Sequence, residues 1–378
     1  MFASFRHRDF VLYWTAQLVS LMGTFMQQVA LGYLVYNLTG SKWLLGIIGA
    51  LTLAPSLVFS LPAGVLADRI QRRKLVLSTQ SVALLLAFTL ATLTATHRLQ
   101  VWEVLLISTI SGIAIAVESP GRQAFVIDLV GKEDLANAIA WNSMIVNGAR
   151  VVGPAIGGIA IRFVGVAAVF YYNSFSFLAM IVALLIMHLP AVTARQRHPL
   201  ADLREGLVYI RHTPAVVVLL VLLGTVATFA LNFPVVIPIF ARDVLKTGAE
   251  GLGWMWTAYG LGAVFGSFTV VRWSRLAVAG PLLLLSAFMA GIAELGMAAT
   301  HALPLTLATL VLVGWGTGTF LASANSAVQA RVGDALRGRV LSVYSMIFAG
   351  TGPIGGLFTA GLASARGIPL ALAAGGGI

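Results

Sequence analysis

Residues 64–74 read Gly64-Val65-Leu66-Ala67-Asp68-Arg69-Ile70-Gln71-Arg72-Arg73-Lys74, a charged island between two uncharged runs. No charged residue lies between Lys42 and Asp68, nor between Lys74 and Arg98. Each run holds the roughly 20 apolar residues that a membrane-spanning helix needs. Such a run has to be helical, because hydrocarbon offers its backbone no hydrogen-bond partner. The same rhythm continues outward from the island. Charges are absent between Asp9 and Lys42, Arg162 and Arg195, Arg211 and Arg242, Glu250 and Arg272, and Arg339 and Arg366. Dividing the remaining stretches the same way predicts spans at 11–36, 43–66, 75–96, 103–121, 136–160, 167–189, 215–240, 251–271, 280–299, 304–325 and 340–364. Residues 367–378 begin a twelfth that is too short to cross, so the chain is expected to stop short of its natural end.

Composition agrees. Of 378 residues, 59% are hydrophobic and 10% charged, against roughly a quarter charged in soluble domains. A soluble protein could not cover its surface with so few charges. The net charge of +11 would suggest nucleic acid in a soluble chain. Here it marks cytoplasmic loops, and no nucleic-acid partner is expected. The absence of cysteine excludes disulfides and thiolate metal sites. The first apolar stretch is too long for a signal-peptide core and reads as a retained helix.

Lys and Arg give the orientation. With the N-terminus inside, 17 of the 24 fall on the cytoplasmic side, six on the outer side, and Arg150 within a span. That asymmetry predicts a cytoplasmic N-terminus. The longest polar connection divides the spans six and six. The expected organisation is therefore a bundle at 1–190, a linker at 191–214 and a second bundle at 215–378. In the linker Leu200, Leu203, Leu207 and Ile210 share one helical face, which suits a short helix on the membrane surface. A plain solvated linker is the other reading.

The halves repeat near a lag of 200 residues. Ser143-Met144-Ile145 precedes Gly153-Pro154-Ala155-Ile156-Gly157-Gly158, and Ser345-Met346-Ile347 precedes Gly352-Pro353-Ile354-Gly355-Gly356. Gln123-Ala124 matches Gln329-Ala330, and Thr39-Gly40 matches Thr247-Gly248. Matches in one order at nearly one lag indicate duplication, a known transporter plan with its site between the repeats.

The island at Gly64, Asp68, Arg69, Arg72 and Arg73 resembles the loop signature of the major facilitator superfamily, with Gln71 where the family usually has Gly. The resemblance implies an all-α polytopic membrane protein of the major facilitator fold, with 6+6 helices in two pseudo-symmetric halves and the twelfth incomplete. It also implies a cytoplasmic gate latch. Asp68 would sit at the start of the eleventh span near Arg339, and Arg69 or Arg73 would pair with Glu118. The alternative is a positive-inside loop with no gating role. The second half lacks the motif: Val270 stands where the Asp would be. The run Gly153-Pro154-x-x-Gly157-Gly158 is similar to the fifth helix of exporters in the superfamily, where it seals against a helix of the other half. Gly352, Pro353, Gly355 and Gly356 repeat it, as a matched pair of rocker helices would. Over nearly its whole length the chain looks like the branch containing the enterobactin exporter and macrolide efflux proteins, on Phe5-Arg6-His7-Arg8-Asp9-Phe10, on Pro120 to Phe125, and on Asn137 through Gly158. Drug exporters of a neighbouring branch carry an Arg where Ser108 stands here.

Ionisable groups within spans are costly and mark function. Arg150 and Glu294 are the coupling candidates, and each also has a structural reading as a packed, hydrogen-bonded group. If the family arrangement holds, Gln27, Gln28, Tyr33, Asn232, Trp315 and Asn325 line the cavity, joined by Asn142 and Asn147. Their polarity without charge suits an amphipathic substrate, although each alone is also an ordinary interhelical contact. No nucleophile pair, metal-ligand spacing or phosphate-binding Gly-x-x-x-x-Gly-Lys loop occurs, so neither an enzyme nor a cofactor is expected. The expectation is a monomeric secondary active exporter of drug-like or siderophore-like molecules, working by alternating access on the proton gradient. An uptake permease of the same fold and a non-transporting membrane sensor or scaffold are the alternatives.

Overall fold

The computed structural model describes residues 3–131, 133–187, 199–273 and 279–378. After a short 3-10 turn (Ala3–Arg6) come thirteen helices: α1 (Arg8–Thr39), α2 (Lys42–Arg69), α3 (Arg72–Ala95), α4 (Val101–Val130), α5 (Leu135–Ile186), α6 (Pro199–Arg211), α7 (Pro214–Phe229), α8 (Phe233–Asp243), α9 (Ala249–Trp273), α10 (Ala279–Ala299), α11 (Leu303–Arg331), α12 (Asp334–Arg366) and α13 (Ile368–Gly377). No strand occurs among the described residues.

Nine stretches among the described residues are long and apolar enough to cross a membrane. One of them, 137–186, holds two predicted spans: α5 turns at Gly165, whose φ of 83° lies in the region open to glycine. α9 is absent from the nine because its interior is rich in Gly, Trp and Tyr rather than in aliphatic residues. Adding α9 and counting α5 twice gives the eleven predicted spans. The seventh is broken into α7 and α8. Pro234 has no N–H to donate into the preceding turn, and Asn232 Nδ2 donates to the Thr228 carbonyl at 2.7 Å across the break.

Two compact units emerge. The first comprises residues 1–31 and 55–199. Its core is built by Phe10, Tyr13, Val76, Phe125, Met180 and Leu184, from α1, α3, α4 and α5. The second comprises residues 32–54 and 200–378. Leu220, Leu223, Phe320, Val340 and Tyr344 sit in its core. The last turns of α1 and the first half of α2 thus pack with helices of the second sequence half.

The linker helix also belongs to this unit, although residues 191–198 lie outside the described residues. Glu205 pairs with Arg339 at 2.6 Å, and Tyr209 Oη donates to the Arg331 carbonyl at 3.2 Å. Gly206 lies against the Arg339 backbone and Ile210 enters the core. The face that packs is therefore Gly206 and Ile210. Leu207, expected on the same face as Ile210, is exposed together with Val208.

Candidate functional site

In the first unit, the end of α1 that begins the chain is tied to α5. Asn137 Oδ1 accepts from Ser4 N and Oγ, at 3.1 and 2.6 Å. His7 Nε2 meets Asp134 at 2.9 Å, and Gln17 Nε2 donates to Asn142 Oδ1 at 2.8 Å. Phe5 packs edge-on to Trp14 and Trp141. The two stretches that carried the resemblance, 5–10 and 137–158, are thus in part packing partners.

The α2–α3 island is described only in part. The surroundings of Gly64, and the side chains of Asp68 and Arg69, lie outside what the structure describes. Arg72 pairs with Asp128 of α4 at 2.6 Å, and Arg73 donates to the Leu185 carbonyl at 2.9 Å. Arg73 is therefore not the partner of Glu118. That carboxylate is buried inside the bundle, accepting from Gln80 Nε2 on both oxygens, at 2.9 and 3.0 Å, and from Arg122 one turn along α4. Burial opposes the charge of Arg122, but the Glu118 carboxylate and Tyr13 outweigh it, and its pKa rises above the usual guanidinium range. The expected gate carboxylate is thus neutralised within its own bundle. Arg339 reaches Glu205, as above.

The two glycine runs pack in corresponding ways. A Cβ on Gly153 would come within 2.8 Å of Phe25 Cβ, and one on Gly157 within 3.1 Å of Met26 Cα. At these positions α5 therefore lies against α1 of its own half. In α12, a Cβ on Gly355 would fall 2.1 Å from the Thr228 carbonyl oxygen of α7. α12 thus repeats on α7 what α5 does on α1. α12 has an additional neighbour: Gly352 faces Leu53, and Gly356 approaches Gly46. Pro154 and Pro353 lie inside α5 and α12.

The other candidates are dispersed. Gln27 accepts from Asn173 Nδ2 at 2.8 Å, whereas Gln28 is exposed. Asn232 is buried at the α7–α8 break. Trp315 Nε1 donates to Thr269 Oγ1 at 3.0 Å. Asn325 Oδ1 accepts from Gln329 on the same helix. The Asn147 side chain lies outside the described residues. Arg150 is exposed, with its guanidinium 5.9 Å from the Phe25 ring centre. Glu294 is 2% exposed, and its Oε1 has no hydrogen-bond partner among the described residues. Gly375 and Gly376 of α13 stand against it, leaving the room that side chains would fill.

A further cluster joins the α1–α2 connection to α8. Asp243 accepts from Tyr36 Oη at 2.6 Å on one oxygen and pairs with Lys42 Nζ at 2.7 Å on the other. Lys42 also donates to the Ala363 carbonyl at 3.3 Å. Arg242 donates to the Tyr36 carbonyl and lies 4.7 Å from the centre of its ring.

The profile of a family described as transmembrane secretion effectors matches residues 1–378. The chain belongs to this family of the major facilitator superfamily. It is a multi-pass membrane transporter of small molecules, not an enzyme. Its relatives match along most of both chains. The transporter is 25% identical to the staphyloferrin A transporter of Staphylococcus aureus, covering 94% of this chain and 90% of that one. It is 26% identical to the multidrug efflux pump Tap of Mycolicibacterium fortuitum, with coverages of 93% and 88%. To the enterobactin exporter EntS of Shigella boydii it is 27% identical, with coverages of 90% and 81%. In fold it is similar to a bacterial homologue of the human lysosomal transporter Spinster, at a TM-score of 0.78 and 16% identity over 94% of this chain and 82% of that one. The nucleoside transporter NupG gives 0.79 at 11%, over 98% and 96%.

The Lys42–Asp243–Tyr36 clasp escaped the reading of the transporter's sequence, though a signal was present. Lys42 is the only charge between Asp9 and Asp68, and a lone charge at a span's end asks for a partner.

Proposed function

We propose that the transporter exports small amphipathic molecules, drug-like or siderophore-like, from the cytoplasm. It does so by alternating access across a bacterial cytoplasmic membrane, as a monomer with its N-terminus inside. The carrying observation is near full-length similarity to proteins named as an enterobactin exporter and a multidrug efflux pump. The matched glycine faces of α5 and α12 support it, since close-packed small residues let helices slide and reseat as rigid bodies. Inverted vesicles carrying the protein are expected to concentrate ethidium or a siderophore in their lumen when energised. Depletion of a preloaded lumen would point to uptake instead.

The proton gradient is the proposed energy source. Glu294 is the leading coupling carboxyl, being buried in a span with no cation paired to it among the described residues, and Arg150 is the second candidate. Glu294→Gln is expected to abolish efflux driven by a pH gradient while leaving substrate counterflow intact. Efflux that persists with the gradient removes Glu294 from this role. Gly64, Asp68, Arg69, Arg72, Arg73, Glu118 and Arg339 remain the proposed cytoplasmic gate, with Glu118 acting through Gln80 and Arg122. Asp68→Asn is expected to cut efflux at least about tenfold at equal membrane abundance, the size of effect from losing one charge-assisted contact. Unchanged efflux would leave the loop as a topology signal alone. Gln28, Tyr33, Asn142, Asn147, Asn232, Trp315 and Asn325 stay candidates for cargo contact. Gln27 is the weakest of the set, since Asn173 already occupies its carbonyl.

A further inference from the structure

Above the clasp on the α1–α2 side lies a cavity of about 350 Å³, within the size range of small-molecule sites. Tyr33, Tyr36, Asn37, Arg242, Lys246 and Leu252 contribute to its wall. Two cations line it, Arg242 and Lys246, and the carboxylate next to them is Asp243. Asp243 is already committed, one oxygen to Tyr36 and the other to Lys42. Arg242 has a backbone carbonyl and the face of a ring, and among the described residues no carboxylate pairs with it. None pairs with Lys246 either. Lys246 is held in the wall by its turn: its φ is 53°, and Thr247 N donates to the Ala241 carbonyl at 2.8 Å. A lysine kept in the left-handed region costs roughly 1 kcal/mol or more. The cavity therefore has two cations to spare, a hydroxyl on Tyr33, and apolar surface from Pro238 and Leu252.

We infer that this cavity binds an oxyanion carried on an apolar or aromatic body, such as an aromatic carboxylate. Arg242 and Lys246 bind the anion, and the tyrosine rings with Leu252 hold the body. Charge-assisted bonds supply the specificity, because a neutral isostere leaves both cations unanswered. As a station for cargo leaving the protein, the site rests on the export reading. As a binding site it does not, and a binding measurement on the purified protein separates the two. Lipid phosphate carries the same chemistry, so both sources are tested.

The chain contains no cysteine, so Asn37→Cys provides a single thiol at the exposed rim. In nanodiscs of phosphatidylcholine, millimolar salicylate is expected to slow maleimide labelling of that thiol at least threefold, and salicylamide is expected to leave it unchanged. Lys246→Gln should raise the salicylate concentration needed for protection about tenfold, and Lys246→Arg should restore it. If phosphatidylglycerol nanodiscs slow labelling without salicylate, the natural oxyanion is a lipid headgroup; protection by salicylate alone assigns the site to soluble anions. Equal protection by salicylamide, protection that survives Lys246→Gln, or no protection by either anion overturns the proposal. Depletion of a preloaded lumen in inverted vesicles, with protection intact, would overturn only the export reading.

Discussion

Gly314→Ala is expected to be as damaging as any single methyl added to the described glycines. Its added Cβ would fall 2.0 Å from the Tyr259 carbonyl oxygen of α9. The contact is reciprocal along the pair: a Cβ on Gly262 would sit 2.0 Å from the Val311 carbonyl oxygen, on Gly266 2.4 Å from that of Trp315, and on Gly318 2.6 Å from that of Ala263. α9 and α11 therefore touch backbone to backbone. In lipid no hydrophobic force drives helices together, so such close approach supplies much of the association. A methyl there cannot be absorbed by rotating a side chain, because what it meets is main chain. Overpacking of this kind costs about 3 kcal/mol. Gly148→Ala is the matched control, since nothing lies within 4 Å of its added Cβ. Thermal unfolding of purified protein in one detergent should show Gly314→Ala melting well below the parent and Gly148→Ala at or slightly above it. Equal melting of the two variants would mean that α9 and α11 are not in backbone contact.

That helix pair shows where sequence reading stops. The charge-free runs mark seven of the eleven predicted spans outright, because burying an ionised group in hydrocarbon is costly enough to shape the chain. The same reasoning placed α9 correctly, yet its glycines carried no message until a partner was known. Small residues at four-residue spacing suit helix contact without naming the helix that comes close. The break at 230–232 was legible in principle. Asn232-Phe233-Pro234, with Pro238 after it, is a poor continuous helix, although the apolar run itself is unbroken. Spacing alone sets Glu118 near the arginines of the neighbouring loop. Its actual partners, Gln80 and Arg122, are nearer because α3 and α4 pack side by side and Arg122 lies one turn along the same helix. Charge pairing across a fold is decided by distances of a few ångströms, and those depend on helix rotation that hydropathy does not report.

Asp243→Asn is expected to give the largest conformational effect. Asp243 joins residues 32–54 to α8, through Tyr36 and Lys42, in a partly buried site where the Lys42 and Asp243 side chains are 22% and 29% exposed. An exposed ion pair contributes little, about 0–1 kcal/mol. This one is half-covered, and its carboxylate takes two charge-assisted bonds that together stabilise by about 2 kcal/mol after discounting for solvent. On the proposed orientation these residues lie at the outer ends of α1 and α2. Those ends are continuous with helices that pack in the other unit, so an alternating-access cycle has to detach them. A bias of about 2 kcal/mol corresponds to roughly a thirtyfold change in the clasped to unclasped ratio. In the cysteine-free chain, Tyr33→Cys in the cavity wall should react with a charged methanethiosulfonate at least about tenfold faster once Asp243→Asn is added, scaling with the open population. The exchange of Lys42→Asp with Asp243→Lys should return the rate most of the way, since it restores the pair but not the Tyr36 bond to a carboxylate. A clasp that only braces the fold would instead give lower melting temperature with unchanged reactivity, and that result would remove Asp243 from the transport cycle.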